Sequence, residues 1–215
     1  MVADPDGAGL PALNALIAFV ALALALALRP WRQLSVGGLP LAWLGLVVML
    51  PFLWMLDRHA GPVAQPWSGA SLLVLFAGWP LAVLAFVPVA ATAMATGHLD
   101  AVEALHRFVW LGVAPASIAL GLGAVVRRLG LKQPLVYVLG RGFAATFVAC
   151  LASGAAHIGL HALPQGLSVG DLWIAHVLDA FAESFLSGLV TAIAVAFRPQ
   201  WLATYSDRLY LPPRP

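Results

Sequence analysis

Two histidines and one cysteine are spaced so that they face the same side of a predicted helix. His157 and His161 lie four residues apart, which places them about 40° from one another around the helix axis. Cys150 comes seven residues before His157 and projects between the two histidines. Imidazole and thiolate groups bind zinc, copper, nickel and cobalt, so this stripe predicts a transition-metal site. The alternative is that the histidines lie at the outer surface near Pro164, hydrogen-bonded to water or backbone.

A second stripe of ionisable groups lies on the following hydrophobic segment. His176, Asp179 and Glu183 are separated by three and four residues and lie within about 60° of one another on a helix. Ionisable groups are costly in lipid and often serve transport or proton transfer there. The candidate metal ligands are therefore His157, His161, His176 and Glu183. The alternative for Glu183 is a structural ion pair with Arg141, because a guanidinium in lipid needs a carboxylate partner.

A third polar group lies between two hydrophobic segments, and we predict that it is a solvated loop. Its members are Gly97, His98, Asp100, Glu103 and His106. The sequence contains no P-loop, HExxH or GxSxG motif. We therefore expect that this chain is not an ATPase, and we assign no catalytic residue. An intramembrane metal-dependent enzyme built on the second stripe is the weaker alternative.

These groups are embedded in a very apolar chain. Of its 215 residues, 62% are hydrophobic and only 9% are charged, and the mean hydropathy is +0.93. Soluble domains are about 45–50% apolar and about 25% charged. The solvent for most of this protein must therefore be a lipid bilayer. The net charge of +2 is too small to indicate nucleic-acid binding.

The elements that carry the stripes are predicted transmembrane helices, each of about 20 mostly apolar residues. We predict an all-α polytopic transmembrane bundle in which residues 1–215 form a single domain with six to seven membrane segments. The third region is broken at Gly78-Trp79-Pro80, where a helix should kink or end. Residues 198–215 are predicted to form an interfacial tail, because Pro199 ends the last helix and aromatic residues follow it. The predicted segments are 10–28, 36–56, 69–96, 108–126, 135–163 and 172–197.

The distribution of basic residues predicts the orientation of the chain. Lysine and arginine are favoured in cytoplasmic loops. Whether residues 69–96 cross the membrane once or form a hairpin, the C-terminus is predicted to be cytoplasmic. The basic residues that lie inside in both arrangements are Arg127, Arg128, Lys132, Arg198, Arg208 and Arg214. The glycine pairs Gly121 with Gly123 and Gly140 with Gly142 allow close packing within one chain or between copies in a homo-oligomer.

The end of the chain resembles a known family of membrane proteins. Residues 182–188 (AESFLSG), Thr191 and residues 197–211 (FRPQWLATYSDRLYL) are similar to the closing signature of short proteobacterial CbiM-like proteins. These are energy-coupling factor (ECF) ABC transporter permeases. The middle of the chain is also similar, at residues 78–82 and 136–138. The resemblance implies a substrate-binding subunit for cobalt or nickel uptake in the bacterial inner membrane, beside a transmembrane coupling protein and two cytoplasmic ATPases.

The metal ligands of that family are not present at the matching positions. The family begins with Met-His, whose amine, backbone and imidazole chelate the ion, whereas this chain begins with Met1-Val2. A second family histidine corresponds to Pro66 or Trp67 here. We therefore expect either that the ion is bound by the candidate ligands within the bundle, or that the chain is a non-transporting accessory subunit without a metal. Zinc and copper remain alternatives to cobalt and nickel.

Overall fold

The computed structural model describes residues 9–31, 41–56, 58–60, 63–96, 99–130, 133–161 and 166–205. Within these residues the chain is a bundle of helices, which confirms the predicted all-α membrane fold. One small hairpin pairs the three-residue strands β1 (Arg58–Ala60) and β2 (Val63–Gln65). The helices are α1 (Gly9–Ala27), α2 (Leu41–Met55), α3 (Ala70–Ala77), α4 (Trp79–Ala95), α5 (Ala101–Arg128), α6 (Pro134–Leu160) and α7 (Val169–Phe197).

Four of these helices are long and apolar enough to cross a membrane. They are α1, α5, α6 and α7, with 19, 28, 27 and 29 residues. Helices α2 and α4 are apolar but shorter. Large apolar side chains such as Phe19, Ile174 and Phe185 are more than half exposed on the outside of the bundle. A surface of this kind is stable in lipid and would be unfavourable in water.

The predicted break in the third hydrophobic region is confirmed. Helix α3 ends at Gly78, whose φ of 79° and ψ of 160° are accessible to glycine because it lacks a Cβ atom. Pro80 then stands in the first turn of α4, where a missing amide proton is tolerated. All eight residues of α3 are buried, so this short helix lies inside the bundle.

The polar stretch that we predicted as a loop is partly helical. Helix α5 begins at Ala101 instead of residue 108, because Asp100 caps it by accepting a hydrogen bond from the Glu103 amide at 2.8 Å. A salt bridge of 2.7 Å between Glu103 and Arg107 follows one turn later. The change places His106 on the first turns of a membrane helix. Gly97 and His98 lie outside the described residues.

Helices α5, α6 and α7 pack side by side in alternating directions. A methyl group added to Gly154 of α6 would lie 2.8 Å from the His176 ring of α7, and one added to Gly142 would lie 2.9 Å from Thr191. A methyl group at Gly123 of α5 would lie 2.7 Å from the guanidinium of Arg141. These close approaches show which residues of neighbouring helices lie side by side along the bundle axis. Both α5 and α6 contain a π-helical stretch, Phe108–Val113 and Tyr137–Ala144.

The beginning of the predicted tail packs against the bundle. A short 3-10 helix, Pro199–Trp201, follows α7, and Leu202 is only 2% exposed. The amides of Ala203 and Thr204 then donate to the carbonyls of Phe76 and Leu75 at the end of α3, at 3.2 and 3.3 Å. The break after α3 therefore leaves carbonyl groups that the C-terminal segment satisfies. Residues 206–215 lie outside the described residues.

Candidate functional site

Three histidines from two helices converge at one end of the bundle. His106 lies near the start of α5, His157 lies near the end of α6, and His161 directly follows α6. One potential ligand atom from each lies within 4.8 Å of the other two, and all three residues are half-buried. Among the described residues, this is the one group of three or more histidine, cysteine or acidic side chains that could share a metal ion. We call it the histidine cluster.

The direct contacts within the histidine cluster match the spacing of metal ligands. The Nε2 atoms of His106 and His157 are 3.1 Å apart. Two nitrogens bound to one zinc ion at about 2.0–2.1 Å lie roughly 3–3.5 Å apart when the angle at the metal is near tetrahedral. The ring centroid of His106 is 5.0 Å from that of His157 and 4.9 Å from that of His161. The Nε2 atoms of His106 and His157 share a hydrogen bond, and the rings of His157 and His161 are stacked with their centroids 4.1 Å apart. The three side chains would therefore have to rotate to bind one ion.

The orientation of His161 leaves one of its nitrogens without a partner among the described residues. Its Nδ1 atom lies 2.9 Å from the carbonyl oxygen of His157, and its backbone amide donates to the same oxygen at 3.0 Å. Its Nε2 atom is buried and has no hydrogen-bond partner in the described part of the chain. Metal-bound histidines typically donate their second nitrogen to a carbonyl or carboxylate in this way. The backbone thus orients His161 with Nε2 available.

Trp110 forms the wall behind the histidine cluster. Its ring lies 5.7 Å from His157 and 5.4 Å from His161 in edge contacts. The indole nitrogen donates to the Asn14 side chain of α1 at 3.1 Å, and the Trp110 carbonyl accepts from Ser153 at 3.0 Å. Because Trp110 lies in the π-helical stretch of α5, a local distortion of the helix positions it. Three helices therefore hold the cluster in place.

The ligand set of the histidine cluster favours borderline transition metals. Three imidazoles without a carboxylate suit zinc, copper, nickel or cobalt, whereas magnesium and calcium prefer oxygen ligands. Three protein ligands also leave coordination positions open for water or an exchanging group. The cluster is therefore suited to reversible binding more than to a closed structural site.

Of the four predicted metal ligands, the structure brings two into the histidine cluster. His157 and His161 belong to it. His176 lies next to it, with its ring 6.3 Å from that of His157, and outside the group of three. Cys150 lies about 10 Å along α6 from His157, seven residues at 1.5 Å each, and beside Glu183 of α7. The thiol is therefore not a member of the cluster.

Glu183 is fully buried near the middle of α7 and has a different role from the one predicted. Its two carboxylate oxygens accept hydrogen bonds from the backbone amides of Ser68 and Gly69, at 3.1 and 3.0 Å. These amides lie at the start of α3, so the carboxylate caps this buried helix. Glu183 thus anchors α3 to α7.

The predicted ion pair between Arg141 and Glu183 is not formed. The Arg141 guanidinium donates to the Thr204 carbonyl at 3.2 Å and lies over the Tyr137 ring. The reason is that the two residues lie at different positions along the axis of the bundle. Gly142 is level with Thr191 and Gly154 with His176, so Arg141 lies eight residues of α7, or about 12 Å, away from Glu183. The register between two helices cannot be read from their separate sequences.

The member of the histidine cluster that sequence reasoning missed is His106. The signal that could have found it is the pair Asp100 and Glu103, because an aspartate followed three residues later by a glutamate is a helix start. A helix from Ala101 places His106 and Trp110 four residues apart on one face.

Comparisons of the chain with protein-family models, curated proteins and solved structures give no match.

Proposed function

We propose that this protein is the membrane component of an uptake system for a divalent transition metal such as cobalt or nickel, and that it binds the ion at His106, His157 and His161. The observation that carries the proposal is the convergence of three imidazoles within 4.8 Å in a membrane bundle. Clustered ionisable groups in membrane helices commonly serve the transport of ions. The buried Nε2 of His161, which has no hydrogen-bond partner in the described part of the chain, provides a second reason to expect a ligand there.

The charge of the bundle ends supports an orientation with the histidine cluster outside. Arg127 and Arg128 end α5, Arg141 lies two turns into α6, and Arg198 follows α7. Because the three helices alternate in direction, all four arginines lie at the end opposite to the cluster. By the positive-inside rule we expect the arginine end and the C-terminus to be cytoplasmic in a bacterial inner membrane. The cluster would accept an ion from the outside.

The resemblance of residues 182–211 to CbiM-like permeases of ECF transporters supports the same function. It adds the expectation of a coupling protein and two cytoplasmic ATPases, since this chain has no P-loop of its own. In this proposal the histidine cluster replaces the N-terminal site of that family. The residues that would bind the ion are contributed by α5 and α6 and by the residue that follows α6.

The test is the metal content of protein purified in detergent, measured by mass spectrometry after loading with nickel, cobalt, zinc or copper. We expect one ion per chain in the natural protein and a loss of that ion in the His157→Ala/His161→Ala variant. His176→Ala is the matched control, because it removes a neighbouring imidazole and leaves the cluster intact. Absence of metal from the natural protein under all four conditions would contradict the proposal and favour a non-transporting accessory subunit.

A further inference from the structure

A stripe of polar side chains continues from the histidine cluster along the inner face of α7. His176, Asp179, Glu183, Ser187 and Thr191 follow one another at intervals of three or four residues, so they lie on one face of the helix. Glu183, Ser187 and Thr191 are fully buried, and the opposite face of α7 exposes apolar residues. From His176 to Thr191 the stripe spans fifteen residues, or about 22 Å. This length is most of the roughly 30 Å hydrocarbon core of a bilayer.

Two hydroxyl groups along this part of the bundle lack hydrogen-bond partners. The Oγ atoms of Ser187 on α7 and Ser71 on α3 are buried, and neither has a partner within the described ranges. Helix α3 packs against α7, and Ser71 lies two residues after Gly69, which bonds to Glu183. A buried hydroxyl without a partner costs about 1–3 kcal/mol. Water molecules or a partly hydrated cation would satisfy these groups.

The two ends of the stripe differ. At the outer end His176 lies beside His157 of the histidine cluster. At the inner end Thr191 meets Gly142, and the neighbouring Arg141 and Tyr137 bond to Thr204 of the C-terminal segment, at 3.2 and 2.7 Å. The histidine cluster therefore lies at one end, and a hydrogen-bonded contact with the C-terminal segment lies at the other.

We propose that the polar face of α7, from His176 to Thr191, lines a route along which a cation released from the histidine cluster moves through the bundle. The inference depends on the proposed function, because the cluster supplies the ion. In the structure, the described C-terminal residues close the route at its inner end. The carbonyl and hydroxyl oxygens of α3 and α7 would replace part of the hydration shell of the ion along the way.

The route can be tested by cysteine labelling in proteoliposomes. Cys150 is the single cysteine of the chain, so a Cys150→Ala background leaves no other thiol. Ser187→Cys is then introduced and treated with a small, positively charged methanethiosulfonate reagent. Ala82→Cys is the matched control, because Ala82 is equally buried but belongs to the apolar cluster of α1 to α5. Thr191→Cys provides a second position on the stripe if Ser187→Cys does not fold.

Thiols react as thiolates, which form in a hydrated route and not in an apolar core, so we expect Ser187→Cys to react roughly tenfold faster than Ala82→Cys or more. Nickel should slow this reaction when the cluster is intact and should have no effect in the His157→Ala/His161→Ala background. Equal labelling rates of Ser187→Cys and Ala82→Cys would overturn the route. It would also be overturned if Ser187→Cys reacts rapidly and bound nickel does not change its rate. Metal content measured on the same sample separates these results from failure of the proposed function, since a chain without nickel contradicts the site itself.

Discussion

The histidine cluster and the environment of Glu183 show two ways in which a membrane bundle accommodates polar side chains. In the cluster, three half-buried imidazoles face each other, and the Nε2 atom of His161 has no partner among the described residues. At Glu183 a fully buried carboxylate is bonded to two backbone amides at the start of α3. The carboxylate therefore satisfies groups that the fold leaves unpaired, whereas the cluster contains one imidazole nitrogen, Nε2 of His161, without a partner among the described residues.

The difference between the two regions indicates how structural and functional polar groups can be told apart. Both regions contain residues that are costly in lipid, and both were candidates for the metal site. A group whose bonds are all made within the fold stabilises that fold. A group with converging, unused ligand atoms is the better candidate for a ligand site.

The largest effect is expected from Glu183→Ala. The substitution leaves the amides of Ser68 and Gly69 buried without acceptors, at about 1–3 kcal/mol each, so the free energy of unfolding should fall by roughly 2–6 kcal/mol. Unfolding in mixed detergent micelles measures this change. Glu183→Gln retains one acceptor oxygen and should lose less. If Glu183→Ala is as stable as the natural protein, the carboxylate is not the anchor of α3.

The second largest effect is expected from His106→Ala. Removal of an inner ligand should weaken nickel binding by at least about 100-fold, while the free energy of unfolding changes little because the side chain is half-buried. Isothermal titration calorimetry measures the affinity. The prediction is specific to the structure, because the sequence alone places His106 in a loop. Unchanged affinity would show that His106 is not a ligand.

A smaller effect is expected from His176→Ala. The side chain lies next to the cluster but outside the group of three. Because it does not itself belong to the proposed ligands, its removal should change nickel affinity by less than about tenfold. The same calorimetric titration applies. A loss as large as that of His106→Ala would place His176 among the ligands and extend the site onto α7.

The smallest effect is expected from Asn14→Leu. It removes the acceptor of the Trp110 indole at the back of the cluster, and a lost buried hydrogen bond costs about 1–3 kcal/mol. The free energy of unfolding, measured in detergent, should fall by an amount in the lower part of that range, and the variant should still bind nickel. Loss of nickel binding at unchanged stability would give Trp110 a direct role in positioning the histidines.

Hydrophobicity alone predicted most of the helices, because a span in lipid requires a long apolar run. The break at Gly78 also followed from local chemistry, since a helix should kink or end at Gly-Trp-Pro. The start of α5 was missed because polarity outweighed the capping signal at Asp100. Local charge suggested a loop, whereas the Asp100 cap and the Glu103–Arg107 salt bridge stabilise a helix.

The site was predictable within one helix and not between helices. The spacing of His157 and His161 predicted two of the three histidines that converge in the cluster. Placing His106 in the cluster requires knowledge of how α5 packs on α6. The wrong pairing of Arg141 with Glu183 arose because the sequence does not give the axial alignment of α6 with α7. The axial alignment of neighbouring helices is set by close contacts at small residues such as Gly142 and Gly154. The sequence contains many small residues, so it is compatible with several alignments.

The most direct test of the account is X-ray absorption spectroscopy of the zinc-loaded protein. We predict an inner shell that contains three imidazole nitrogens at about 2.0–2.1 Å, completed by oxygen from water, and a shell with fewer imidazoles in His106→Ala. A shell of carboxylate oxygens or sulfur without imidazole, in protein that retains zinc, would contradict the histidine cluster as the metal site.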